Sequence, residues 1–197
     1  MHGLINRALQ CYVRDTHGPA IWAHVTREAR LGFDNFEPML SYDIALTEAA
    51  VQACVTVLRR PRESILEDLG TFLVSNPELD ALRRLLRFGG VSFTDFLQTL
   101  EETRGRGRLA LADLDLPELD LVEISPQLFK LQCRFPLAGS SHVMMGLLRA
   151  MADDYGALVL MEHGGNGPEG ELILIQVLEM AHSEGRRFYL TTRVGNE

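Results

Sequence analysis

The hydrophobic period of this chain changes near residue 104, and that change limits the folds open to it. Up to there apolar residues recur at helical spacing; beyond it they alternate in the manner of strands on either side of one further helix. Leu4, Ile5, Ala8, Leu9 and Tyr12 define a first helix, and Gly18-Pro19 punctuates before a second with Ile21, Trp22 and Val25. Gly32 and Pro38 mark the stretch from Leu31 to Leu40 as a connection. Ser41 is placed to cap a third helix through Ile44, Val51, Cys54, Val55 and Leu58. Pro61 opens a fourth, with Ile65, Leu66, Leu69, Phe72 and Leu73 on one side. A short helix from Pro77 to Arg87 should end at Gly89-Gly90, and Ser92 with Asp95 reads as the capped start of the next.

The second half reads Leu119 to Ile124 and Leu128 to Phe135 as antiparallel strands turning at Ser125-Pro126. A strongly apolar helix opens at Gly139-Ser140-Ser141 and carries Val143, Met144, Leu147, Leu148 and Met151. Strands Ala157 to Glu162 and Glu171 to Val177 follow, joined by the glycine-rich stretch Gly164 to Gly170, with a last strand expected from Arg187 to Thr192. The class is α+β: a helical part, 1–104, packed on a sheet-containing part, 105–197, within one domain.

The 197 residues suit one compact domain, and 46% hydrophobic with 23% charged residues match an ordinary globular protein. No window holds about 18 uninterrupted apolar residues, so no membrane span is expected, and the N-terminus lacks a secretory pattern. Cys11, Cys54 and Cys133 form no CxxC and leave an odd count, which fits reduced thiols in a cytoplasmic protein. A net charge of −8 opposes non-specific binding to nucleic acid or anionic membrane.

Little in the chain suggests chemistry of its own. The six histidines (His2, His17, His24, His142, His163 and His182) form no HExxH or other compact metal pattern. There is no GxSxG or P-loop, and no nucleophile–base arrangement stands out, so an enzyme is not expected. The glycine-rich stretch Gly164 to Gly170 lacks a lysine and reads as a hairpin connection. Arg104, Arg106 and Arg108 read as a solvated loop after a helix, or as an anion site.

The opening Met-His-Gly-Leu-Ile-Asn-Arg-Ala-Leu, followed by His17-Gly18 and Trp22, resembles the start of H-NOX domains. These are heme–nitric oxide/oxygen binding domains related to the heme domain of soluble guanylate cyclase. The resemblance continues through Leu69 to Val74 and Phe96 to Glu101, and resumes at Gly146-Leu147-Leu148. It implies a helical part over a C-terminal antiparallel sheet, with heme b between them. It also implies a histidine on the iron, a Tyr-x-Ser-x-Arg motif on the propionates, and a signalling partner such as a histidine kinase or a cyclic-nucleotide enzyme.

The sequence departs from that pattern at the decisive positions. In the run Thr99 to Arg104, Arg104 stands where the resemblance puts the ligand histidine. A guanidinium stays protonated and offers iron no lone pair. The same register sets Cys133, Phe135 and Leu137 on the Tyr-x-Ser-x-Arg positions and keeps Pro117 at the family's heme-packing proline. Ile5, Leu73, Val143 and Leu147 complete the expected frame of the pocket. The expectation is a non-enzymatic sensor or regulatory module that binds heme weakly or not at all in the family manner. One alternative is a gas sensor with His142 or Cys133 as surrogate ligand; another is an adaptor with a collapsed pocket. A fatty-acid-like molecule could occupy an open pocket, its carboxylate meeting Arg104 or Arg106.

Overall fold

A computed structural model describes residues 1–77, 83, 86, 87, 90–102, 105, 116–180 and 185. Helices α1 (Gly3–His17), α2 (Pro19–Glu28), α3 (Ile44–Leu58) and α4 (Arg62–Ser75) come first. A short helix α5 (Phe93–Gln98) leads into a 3-10 turn at Leu100–Glu102. Strands β1 (Glu118–Ser125) and β2 (Leu128–Arg134) follow, then helix α6 (Ser140–Tyr155) and strands β3 (Leu158–Gly167) and β4 (Gly170–Glu179).

Local chemistry sets the helix ends. His2 caps α1, its Nδ1 accepting from the Leu4 N–H at 3.2 Å. Gly3 lies so close to the carbonyls of Glu37 and Leu40 that a Cβ would collide with them. Gly18, at φ 92°, ends α1 by donating to the Arg14 carbonyl, and Pro19 opens α2. Ser41 does not cap α3: it pairs with His2 in a β-bridge, and Asp43 accepts from the Ala45 N–H at 2.9 Å instead. The carboxylate is the residue next to the first helical turn, where its charge also suits the helix dipole. At α5 the expected capping box forms, with Ser92 accepting from Asp95 N–H and Asp95 accepting from Ser92 N–H.

All four strands run antiparallel to their neighbours, in the order β1-β2-β4-β3. The alternation places Leu121, Leu131, Ile173 and His163 in one row across the inner face, and Glu123, Phe129, Ile175 and Met161 in the next. The glycine-rich stretch is narrower as a loop than its sequence suggests. β3 runs on to Gly167 through a register shift between His163 and Gly165, leaving Pro168 and Glu169 as the turn. The strand expected at 187–192 and the helix expected across 77–87 fall largely outside the described residues.

Two apolar clusters form the interior. One unites α1 to α4 through Leu9, Tyr12, Val13, Trp22, Val25, Ile65 and Leu66. The other joins the sheet to α6 and α5 and takes in Val74 from the end of α4. Helix α6 packs against α4 as well as against β3 and β4. The α4–α6 crossing is a backbone-to-backbone contact. A Cβ on Gly70 would collide with the Val143 carbonyl, and one on Gly146 with the Glu67 carbonyl. No helix among the described residues is long and apolar enough to cross a membrane.

Candidate functional site

The end of β2 and the start of α6 bring several of the expected site residues together. Cys133 faces inward, directly opposite Glu171 on β4. Its thiol is 1% exposed and lies 3.8 Å from the Ser140 hydroxyl. Burial pushes it up to about 11, against a smaller opposing pull from Ser140, so it stays protonated at neutral pH. Glu171 closes the N-terminus of α6, accepting from the Gly139 and Ser141 N–H groups at 2.6 and 2.7 Å. Burial works against its charge. Hydrogen bonds from Ser141 and Gly139 outweigh that, helped by nearby His163, and hold the carboxyl below the ordinary glutamate range.

Phe135 and Leu137 follow the end of β2. Phe135 is half-buried and Leu137 is 5% exposed. The loop that carries them is pinned from α4: Arg62 donates to the Ala138 carbonyl at 2.8 Å and to Glu48 at 2.7 Å. Glu48 in turn accepts from the Ala138 N–H.

His142 turns to the α4 side. Its Nδ1 lies 3.2 Å from Glu67, which also pairs with Arg149. Its ring stacks on His163 of β3, with centroids 4.7 Å apart and planes 13° from parallel. His163 Nδ1 accepts from the Gly165 N–H, which puts the proton of a neutral imidazole on Nε2. That nitrogen is buried without a hydrogen-bond partner among the described residues.

The other expected positions divide between the two clusters. Leu73 and Val143 pack against the helical cluster and Leu147 against the sheet cluster. Ile5 and Pro117 are half-buried, Pro117 just before β1. Arg104 and Arg106 lie outside the described residues. Of the bulky residues able to fill a gap, Phe96 and Met144 are buried in the sheet cluster and Phe72 packs on the helical one. An open cleft of about 560 Å³ lies elsewhere, lined by Asp15, Thr16, Phe72, Ser75, Asn76 and Pro77. None of the expected site residues lines it.

Glu67, Glu171 and His163 escaped the sequence reading. His163 shares strand parity with Met161, so the pleat alone aims both inward; Glu171 and Glu67 become partners of α6 only once the layers meet. Among the described residues no three His, Cys, Asp or Glu side chains come together as a metal-binding set.

Helices layered on a four-stranded antiparallel sheet, joined through the α4–α6 crossing, define an α+β domain. The haem-NO-binding family profile matches residues 2–163, and the chain belongs to that family, whose members are H-NOX domains. Among similar solved structures is the Fe(II) unliganded H-NOX protein from K. algicida. It has a TM-score of 0.79 and 15% identity, with 91% of this chain and 97% of that one covered. An H-NOX protein from S. oneidensis in the Fe(II)NO state gives 0.75 and 17%, with 91% and 100% covered. A soluble guanylate cyclase, gcy-31 of Caenorhabditis elegans, is 22% identical over 154 residues. Those residues are 78% of this chain but 22% of that protein, so the chain spans about a fifth of its relative's length.

H-NOX domains are sensor modules that normally bind heme. The donor set at the end of β2 does not suit the two carboxylates of a heme. A protonated thiol, a phenyl ring and a buried leucine offer a propionate neither positive charge nor strong donors, and Glu171 adds a negative charge opposite Cys133.

Proposed function

We propose that this chain is a regulatory sensor module of the H-NOX family that has given up heme held in the family manner. The observation that carries this reading is the pairing of Cys133 with Glu171. Where the family resemblance calls for propionate partners, a neutral thiol and an inward carboxylate stand instead. The two surrogate iron ligands are also otherwise engaged: His142 with Glu67 and His163, Cys133 with Ser140.

In this reading the frame of Ile5, Leu73, Pro117, Val143 and Leu147 is closed by side chains or takes an apolar, fatty-acid-like molecule, with Arg104 as its anion partner. The module is non-enzymatic, works in the cytoplasm, and passes its state to a histidine kinase or cyclic-nucleotide enzyme through protein contact. Relatives named as guanylate cyclase and as nitric oxide-ligated H-NOX support the signalling context.

The test is an absorption spectrum of the purified protein, as isolated and with hemin added in equimolar steps. The expected result is no saturable Soret band. A band saturating at one heme per chain and shifting with nitric oxide or carbon monoxide overturns the proposal. Arg104→His supplies an imidazole at the ligand position and is expected to raise hemin affinity at least about tenfold, a gain of about 1.4 kcal/mol. Without propionate partners it should not bring full occupancy.

A further inference from the structure

The sheet has a second apolar face that α6 does not cover. Residues of the opposite parity point away from α6: Val122 and Ile124 on β1, Leu128 on β2, Leu172, Leu174 and Leu178 on β4, and Leu158 and Leu160 on β3. Their direct cross-strand partners include Lys130, Gln176 and Glu162, and the apolar residues adjoin as diagonal neighbours: Val122 with Leu128, Leu128 with Leu174, and Leu174 with Leu160. Val122 is 50% exposed, Ile124 55%, Leu160 48% and Leu178 48%. A sheet apolar on both faces is built for a cover on each, and a contiguous exposed patch of this kind marks a contact surface.

Size and charge select the cover. The sheet has four strands, of which β2 has seven residues. At about 4.8 Å between strands and about 3.3 Å per residue, that gives the face roughly 440 Å². A second copy stacked face to face would bring the same carboxylates, Asp120 and Glu162, against one another, so charge disfavours it. One helix of about 15 residues, about 22 Å long, matches the strand length and covers much of the width. The band is flanked by the carboxylates of Asp120 and Glu162. The one lysine of the sequence, Lys130, is half-buried within it, and Arg134 is paired with Glu118 and Glu169. With a net charge of −8 overall, the face suits a cover with basic flanks.

We propose that the outer face of the β1-β2-β4-β3 sheet is the output surface of the module and docks a basic amphipathic helix of a partner protein. The proposal builds on the reading of the chain as a module that acts through protein contact, but not on whether heme binds. The partner helix lays an apolar stripe along β2 and β4 and sets its lysines or arginines toward Asp120 and Glu162.

The probe is a fluorescein-labelled 15-residue model helix of leucine and lysine, with leucine at i, i+3, i+4 and i+7, and a counterpart with glutamate in place of lysine. Anisotropy is read at about 0.15 M salt, where bare long-range attraction is screened. The leucine–lysine helix is expected to bind saturably, one per chain, and the leucine–glutamate helix not to bind. V122Q/L160Q changes no charge and alters only exposed side chains; with its melting curve unchanged, it is expected to weaken binding at least tenfold. Equal binding by that variant, equal binding of the glutamate helix, or no binding at all overturns the proposal. So does light scattering that shows a dimer which V122Q/L160Q dissociates, because the occupant is then a second copy. These results are independent of the hemin titration, so failure here leaves the heme-free reading standing, and the converse also holds.

Discussion

Single side chains around the α6 N-terminus carry testable charge states. The Cys133 thiol is raised to about 11 and the Cys54 thiol to about 12, both by burial. An unfolded thiol titrates near 8.5, so below about pH 8.5 both states hold the proton and the contribution to stability is complete. As pH rises the unfolded chain ionises first, and stability falls until the folded thiols titrate. Thermal unfolding should therefore shift downward between about pH 8.5 and 12, less steeply in Cys133→Ala, as pH-stepped melts will show. Glu171 behaves in the opposite sense. Its folded carboxyl is held below its ordinary value, so its stabilisation is complete above about pH 4.3 and is lost as pH falls through the folded value. Glu171→Gln removes the charge from the α6 cap and should cost about 1 kcal/mol in urea melts at neutral pH. That difference should close in acid.

At the scale of elements the α4–α6 crossing governs how the helical cluster meets the sheet cluster. Gly70 and Gly146 sit against carbonyl groups of the facing helix, which cannot swing aside as a side chain can. Gly70→Ala and Gly146→Ala are each expected to lower stability by at least about 2 kcal/mol, or to separate the helices, as denaturant melts and near-UV circular dichroism will report. Pinning of the α3–α4 pair to the loop before α6, through Arg62 and Glu48, acts on the same junction. Arg62→Ala should loosen the Ala138 loop with a smaller loss, about 1 kcal/mol, because its bonds are partly exposed.

At the scale of the whole molecule, the domain keeps the family architecture, with Cys133 facing Glu171 between its layers. The change at the end of β2 leaves the strand in register, because Cys133 still faces inward between Leu119 and Glu171. A packing position can exchange a phenol for a thiol and hold the fold, whereas a carboxylate-binding position cannot lose its donors and hold its ligand. On the reading proposed above, the module transmits through its surfaces, and the sheet face left open among the described residues is its output.

How much of this was written in the sequence follows from the range of the forces involved. Local patterns gave the helices, the Ser92–Asp95 capping box, the first hairpin and the α6 start at Gly139, because caps, turns and periodicity act within a few residues. The α+β class and the family were legible in the same way, the family through the opening residues and those around Gly70 and Gly146. The placing of Arg104, Cys133, Phe135 and Leu137 on the family's ligand positions rests on the resemblance alone. Other features could not be read locally. Ser41, the expected cap of α3, is instead in a bridge with His2, 39 positions away in the chain. The stack of His142 on His163, the clasp of Glu67 and Glu171 on α6, and the apolar band across four strands join groups far apart in the chain. The sequence determined which side chains face one another's layer; only the packing of those layers decided which of them touch.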